Sequence, residues 1–154
     1  GDAMEKATKL IEPFITEEGG VEKEGMGKIV LGTVKGDIHT LGSNILALLL
    51  KSKGYEVIFL GPDTSVNSFI ETAKNENADI IGLSALMTVS MPICKDVMDF
   101  LRAFNLDDQF SVMIGGGATS NQFAEKIGAQ GHAKDAIKGV ELVEHLLKRK
   151  QVAE

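Results

Sequence analysis

The sequence predicts an α/β fold: a doubly wound, five-stranded parallel sheet with helices on both faces. Three observations carry this. From Lys28 onward, short apolar runs alternate with longer segments whose apolar residues recur at helical spacing. The short runs, such as KIVLGTV and DIIGLS, are apolar almost throughout rather than alternating, the mark of strands covered on both sides. Glycine or proline punctuates several of the junctions, as in Gly54, Gly61-Pro62 and Gly115-Gly116-Gly117.

The elements follow in order. Residues 1–16 hold one helix, Ala3 to Ile15, with Met4, Ala7, Ile11 and Phe14 on one face and Pro13 in its last turn. Residues 17–27 are polar and glycine-rich and read as a linker. Residues 28–150 form the sheet domain. Lys28 to Val34 is the first strand. Thr40 to Lys53 is a helix with Leu41, Ile45, Leu48 and Leu49 on one face and Gly54 as its stop. Tyr55 to Leu60 is the second strand, closed by Gly61-Pro62. Val66 to Asn77 is a helix that turns Phe69, Ile70 and Ala73 inward. Asp79 to Ser84 is the third strand. Pro92 to Phe104 is a helix carrying Ile93, Val97, Phe100, Leu101 and Phe104. Phe110 to Ile114 is the fourth strand and Asn121 to Ile127 a short helix. Ala129 to His132 is a short edge strand. Ala133 to Lys150 closes the chain with Ala136, Val140, Val143 and Leu147 on one side. The expected strand order is 2-1-3-4-5, a flavodoxin-like layout.

Composition narrows the function. With 154 residues, 44% hydrophobic and 25% charged, the chain can bury a real core and is not disordered. A net charge of −6 without a Lys/Arg cluster excludes a nucleic-acid footprint. No apolar run approaches the ~20 residues that span a bilayer, and no signal-peptide pattern opens the chain, so the cytoplasm is the expected compartment. The single cysteine, Cys94, permits neither an internal disulfide nor a cysteine-rich zinc site and reads as a packed thiol.

Open parallel sheets bind ligands beyond the carboxyl ends of their strands, at the topological switch point. The segment after strand one is unusual: Asp37 stands two residues before His39 at a loop-to-helix junction. Alone, His39 reads as a capping or packed loop residue, and Asp37 as a favourable charge at a helix N-terminus. Together they match a carboxylate–histidine–metal arrangement, in which the carboxylate fixes the tautomer and raises ligand basicity. With only one histidine near, a single protein ligand suits a metal already held by a macrocycle. The glycine run reads either as a tight turn or as close backbone approach to a ligand. No G-x-G-x-x-G follows strand one, which disfavours a dinucleotide site.

The segment Gly36-Asp37-Ile38-His39-Thr40-Leu41-Gly42, with Ser84-Ala85-Leu86 and Gly115-Gly116, resembles the D-x-H-x-x-G … S-x-L … G-G signature of cobalamin-binding domains. The stretches GYEVIFLGPDTS, ADIIGLSALMTVSMP and IGGGATSNQFAEKIGAQG are similar to the corrinoid proteins of anaerobic methyltransferase systems. The resemblance runs from Met4 to Lys150 and implies roles. His39 would be the lower axial ligand of cobalt in place of the cofactor's own base, with Asp37 on its distal nitrogen and Ser90 continuing that network. Gly42 would admit the nucleotide tail. Ser84, Leu86, Thr88 and the Gly115 to Gly117 backbone would line its channel, with Asp135 and Ala136 as the last tail contacts. Thr40, Ser43 and His132 stand where the family often has aspartate, lysine and an aromatic residue.

The resemblance implies a methyl carrier. It would take its methyl group from a donor-specific methyltransferase and deliver it to a second methyltransferase acting on coenzyme M or tetrahydrofolate, with a reductive activase as further partner. The rival readings are a cobalamin-binding subunit of an adenosylcobalamin mutase, a cobalamin-dependent sensor, or a flavodoxin-like receiver or electron carrier without cobalt. In the family a helical cap precedes the sheet domain. Ala3 to Ile15 resembles only its last helix, so the rest of the cap is expected to be absent and the upper face of the corrin open or covered by another chain.

Overall fold

A computed structural model describes residues 26–153. The readings made above for residues 1–25, the first helix and most of the linker, lie outside the described residues. Five parallel strands form one sheet in the order β2-β1-β3-β4-β5. They are β1 (Lys28–Val34), β2 (Glu56–Thr64), β3 (Ile80–Ser84), β4 (Ser111–Gly115) and β5 (Gly131–Ala133). The helices are α1 (Leu41–Ser52), α2 (Val66–Glu76), α3 (Met91–Ala103), α4 (Asn121–Ile127) and α5 (Ala136–Ala153). The fold is the doubly wound α/β sheet expected, in the expected strand order.

The two-residue period of each strand sends alternate side chains to opposite layers. Val30, Val34, Ile81, Leu83, Val112 and Ile114 pack with Phe69, Cys94, Val97, Met98 and Leu101 beneath α2, α3 and α4. Ile29, Leu31, Ile80 and Met113 pack with Leu46, Leu50, Val143 and Leu146 beneath α1 and α5. Burying a side chain of this size contributes about 1.5–3 kcal/mol. Ser65 and Ser120 cap α2 and α4 by accepting the Ser68 and Phe123 amides, both at 3.1 Å.

Several details differ from expectation. The buried face of α1 is Ser43, Leu46, Ala47 and Leu50, not the stripe of Leu41, Ile45, Leu48 and Leu49. That helix is apolar on nearly every side, so period alone offers two stripes. In α3, Cys94 and Met98 take core positions while Phe104, at the helix end, is 63% exposed. Strand β2 continues past Gly61-Pro62 to Thr64, with register shifts against β1. An edge strand tolerates Pro62 because the missing N–H would have faced outward. Helix α5 starts at Ala136 rather than Ala133, because Asp135 caps it: its Oδ1 accepts the Lys138 amide at 2.8 Å.

Candidate functional site

The carboxyl ends of β1, β2 and β3 converge on Asp37, which is fully buried. Burial opposes its charge, and the sequence answers with donors. Asp37 Oδ1 accepts the His39 amide at 3.1 Å and lies 2.7 Å from His39 Nδ1. Oδ2 accepts the amides of Leu86 at 2.8 Å and Met87 at 3.1 Å. Ser90 Oγ stands 2.8 Å from Oδ2 and 2.7 Å from the Met87 carbonyl, so its single proton serves one of the two. A charge-assisted bond to the carboxylate is the stronger choice. Desolvation raises the carboxyl pKa, but the hydrogen bonds from His39, Leu86 and Ser90 outweigh it and hold the group well below the ordinary carboxylate range.

An ionised Asp37 fixes the proton of His39 on Nδ1. Nε2 has no hydrogen-bond partner among the described residues, and the imidazole is 48% exposed. The backbone around it is pinned from three sides. Thr33 Oγ1 donates to the His39 carbonyl at 3.0 Å, the Gly36 amide donates to Asp63 Oδ1 at 2.8 Å, and the Asp63 amide donates to the Asp37 carbonyl at 2.9 Å. Asp63 takes up φ 51° to do this, at the irregular end of β2.

His39 stands at the edge of a cavity of about 670 Å³ between α1, α5 and the strand ends. Thr40, Gly42, Ser84, Leu86, Gly115, Gly116, Gly117, Asp135 and Ala136 line it with His39. Gly36, Ile38 and Thr88 do not. Gly36 forms the turn after β1 at φ 87°, Ile38 is 74% exposed, and Thr88 is exposed in the 3-10 turn Thr88–Ser90. The structure separates the two readings of glycine. A Cβ on Gly42 would meet nothing within 4 Å, so its absence keeps the cavity mouth open. A Cβ on Gly116, at φ 105°, would lie 2.2 Å from the Ala85 carbonyl oxygen, so that glycine serves the packing of one loop on another.

Sequence reasoning missed Asp63 and Thr33, which shape the loop, and Leu31, Leu46, Gly82, Met113 and Ala133, which line the cavity. The signal was available in the strand period: Gly82 and Ser84 in β3, with Gly115 in β4, are small residues on one face of otherwise large-residue strands. Cys94 is buried, and burial pushes its thiol up to about 12, as an inert packed residue requires. His132 Nε2 lies 3.0 Å from Thr119 Oγ1, and burial lowers its pKa. His145 is exposed on α5. No described helix is long and apolar enough to cross a membrane.

Residues 27–141 match the family model of the B12 binding domain. The chain is 44% identical over 146 residues to a corrinoid protein of Desulfitobacterium hafniense (strain Y51), covering 95% of this chain and 68% of that one. The monomethylamine corrinoid protein of Methanosarcina barkeri superimposes with a TM-score of 0.82 at 29% identity, over 93% of this chain and 66% of that one. The methanol:cobalamin methyltransferase complex MtaBC of the same organism gives 0.71 at 26% identity, over 88% and 55%. The chain thus spans somewhat under two thirds of the length of these solved relatives. It belongs to the B12 binding domain family.

Proposed function

We propose, on the premise that this member of the B12 binding domain family binds a cobalamin or related corrinoid, that it is a methyl carrier with His39 as the lower axial ligand of cobalt. The observation that supports this best is the Asp37–His39 pair at 2.7 Å, which leaves Nε2 as the ligating nitrogen at the mouth of a cavity. The residues fit the group: the donor is an imidazole whose Nδ1 is held by Asp37, and Gly42 leaves open the space a Cβ would occupy. When bound, the corrinoid supplies a cobalt centre that accepts and releases a methyl group.

The chain's own residues then hold and tune. Asp37 keeps the proton on Nδ1 and leaves Nε2 free to ligate. The Leu86 and Met87 amides and Ser90 keep Asp37 ionised. Ser90 is 1% exposed, so the network ends in the interior, and we assign it to holding charge. The cavity takes the nucleotide tail. Among the described residues none forms a site for a methyl donor or acceptor, and we assign those sites to partners. We assign a donor-specific methyltransferase, a second methyltransferase acting on coenzyme M or tetrahydrofolate, and a reductive activase. The likeness to a methylamine corrinoid protein and to a methanol methyltransferase complex supports the first.

His39→Ala tests the ligation. Titration of the variant with cobalamin should lose the histidine-ligated visible spectrum while tail contacts retain part of the affinity. A spectrum unchanged from the parent protein would remove His39 as ligand.

A further inference from the structure

The tail cavity has two chemically distinct depths. In the sheet register, Leu31 pairs with Gly82 and Gly82 with Met113, while Thr33 pairs with Ser84 and Ser84 with Gly115. These two rows face α1 and α5, and the second lies nearer the carboxyl ends. The mouth therefore carries hydroxyl and glycine backbone, and the deeper row is entirely apolar.

The deep end is also closed. A Cβ on Gly82 would fall 2.7 Å from Leu31 Cδ1 and 3.7 Å from Met113 Cγ, so those two side chains lean over the glycine and form a floor. Helix α1 meets α5 where a Cβ on Gly139 would lie 2.9 Å from Leu46 Cδ1, which seals the cavity on that side. Of the hydroxyls one row above the floor, Thr33 Oγ1 donates to the His39 carbonyl and Ser43 Oγ to the Thr40 carbonyl, which leaves Ser84 Oγ, toward the mouth, open to the cavity. No charged side chain stands among the deep lining residues.

We propose that this floor selects corrinoids by the base that ends the nucleotide tail, accepting a benzimidazole and disfavouring a purine. The inference rests on the reading that the tail enters this cavity. A benzimidazole carries apolar edges that fit against Leu31, Leu46 and the Met113 thioether. An adenine would bring an exocyclic amine and extra ring nitrogens to a floor row, Leu31, Gly82 and Met113, whose side chains carry no N–H or O–H. Leaving such groups buried and unpaired weakens binding by at least about tenfold.

The test compares three ligands on the apo-protein by visible titration: cobalamin, its adenine-based analogue, and cobinamide, which lacks the nucleotide. Cobalamin should bind tightest, with the adenine analogue at least about tenfold weaker and cobinamide weaker still. Met113→Gln, which places an amide on the floor, should narrow the gap between cobalamin and the adenine analogue. Equal affinity for cobalamin and the adenine analogue, with cobinamide far weaker, would overturn base selection and leave the tail cavity standing. Cobinamide binding as tightly as cobalamin would overturn the tail reading and the selection with it. Should Met113→Gln not fold, the comparison on the parent protein still decides.

Discussion

The two faces of the sheet are built from the same strands and are used differently. Beneath α2, α3 and α4, β3 contributes Ile81 and Leu83 and β4 contributes Val112 and Ile114, and Phe69 and Phe110 fill the remaining space. Beneath α1 and α5, the same strands contribute Gly82 and Ser84, then Met113 and Gly115, and the layer is left hollow at its carboxyl end. Both clusters pack large residues toward the amino ends of the strands. The difference is confined to a few small residues on one face. Binding capacity in this fold is made by omission on one side and supported by close packing on the other.

The largest test of that comparison strikes the solid face. Phe69 is fully buried and touches the space above Gly32. Phe69→Ala should lower stability by about 3–5 kcal/mol, read as a shift in the denaturant midpoint. A loss below about 1 kcal/mol would show that this face relaxes as readily as the hollow one. Next is the hinge between the faces, Asp37. Asp37→Asn turns an amide toward amide donors and should cost about 1–3 kcal/mol, with Ser90→Ala affecting stability less. Midpoints unchanged in both variants would deny the network a structural role.

Filling the hollow face should separate binding from stability. Gly42 lies in α1, its backbone is not left-handed, and a side chain there meets nothing. Gly42→Leu should leave the melting temperature unchanged or slightly raised, since leucine favours the helix more than glycine. Corrinoid affinity should fall by at least about tenfold, or about 1.4 kcal/mol. The smallest effect concerns Cys94. Burial raises its thiol from an ordinary 9.0 to about 12, so the contribution of the buried neutral form is full below pH 9 and is lost as pH rises from about 9 toward 12. Cys94→Ala should lack that part of the alkaline loss. At neutral pH a thiol reagent should leave the native protein unmodified and react on denaturation.

Much of this was legible in the sequence because strand runs and turn residues are local signals. Lys28 to Val34 was readable to its ends, and the Asp37-x-His39 spacing alone placed a carboxylate beside an imidazole. What the sequence did not disclose depended on contacts made at a distance. The inward face of α1 is decided by where α5 lies, because Leu41, Ile45, Leu46 and Leu50 are equally apolar. The continuation of β2 through Pro62 is decided by its edge position. Asp135, which reads from the sequence as a ligand contact, lines the cavity and also caps helix α5.

The outer strands have a consequence for the protein among its neighbours. An exposed strand edge is a template on which another chain can add a strand. Here one edge ends in the Gly61-Pro62-Asp63 kink, with a missing amide and a left-handed residue, and the other is β5, only three residues long. Neither offers a long, flat row of free amides and carbonyls. The same irregularity that lets Asp63 grip the Asp37 loop therefore also guards the sheet against edge-to-edge aggregation.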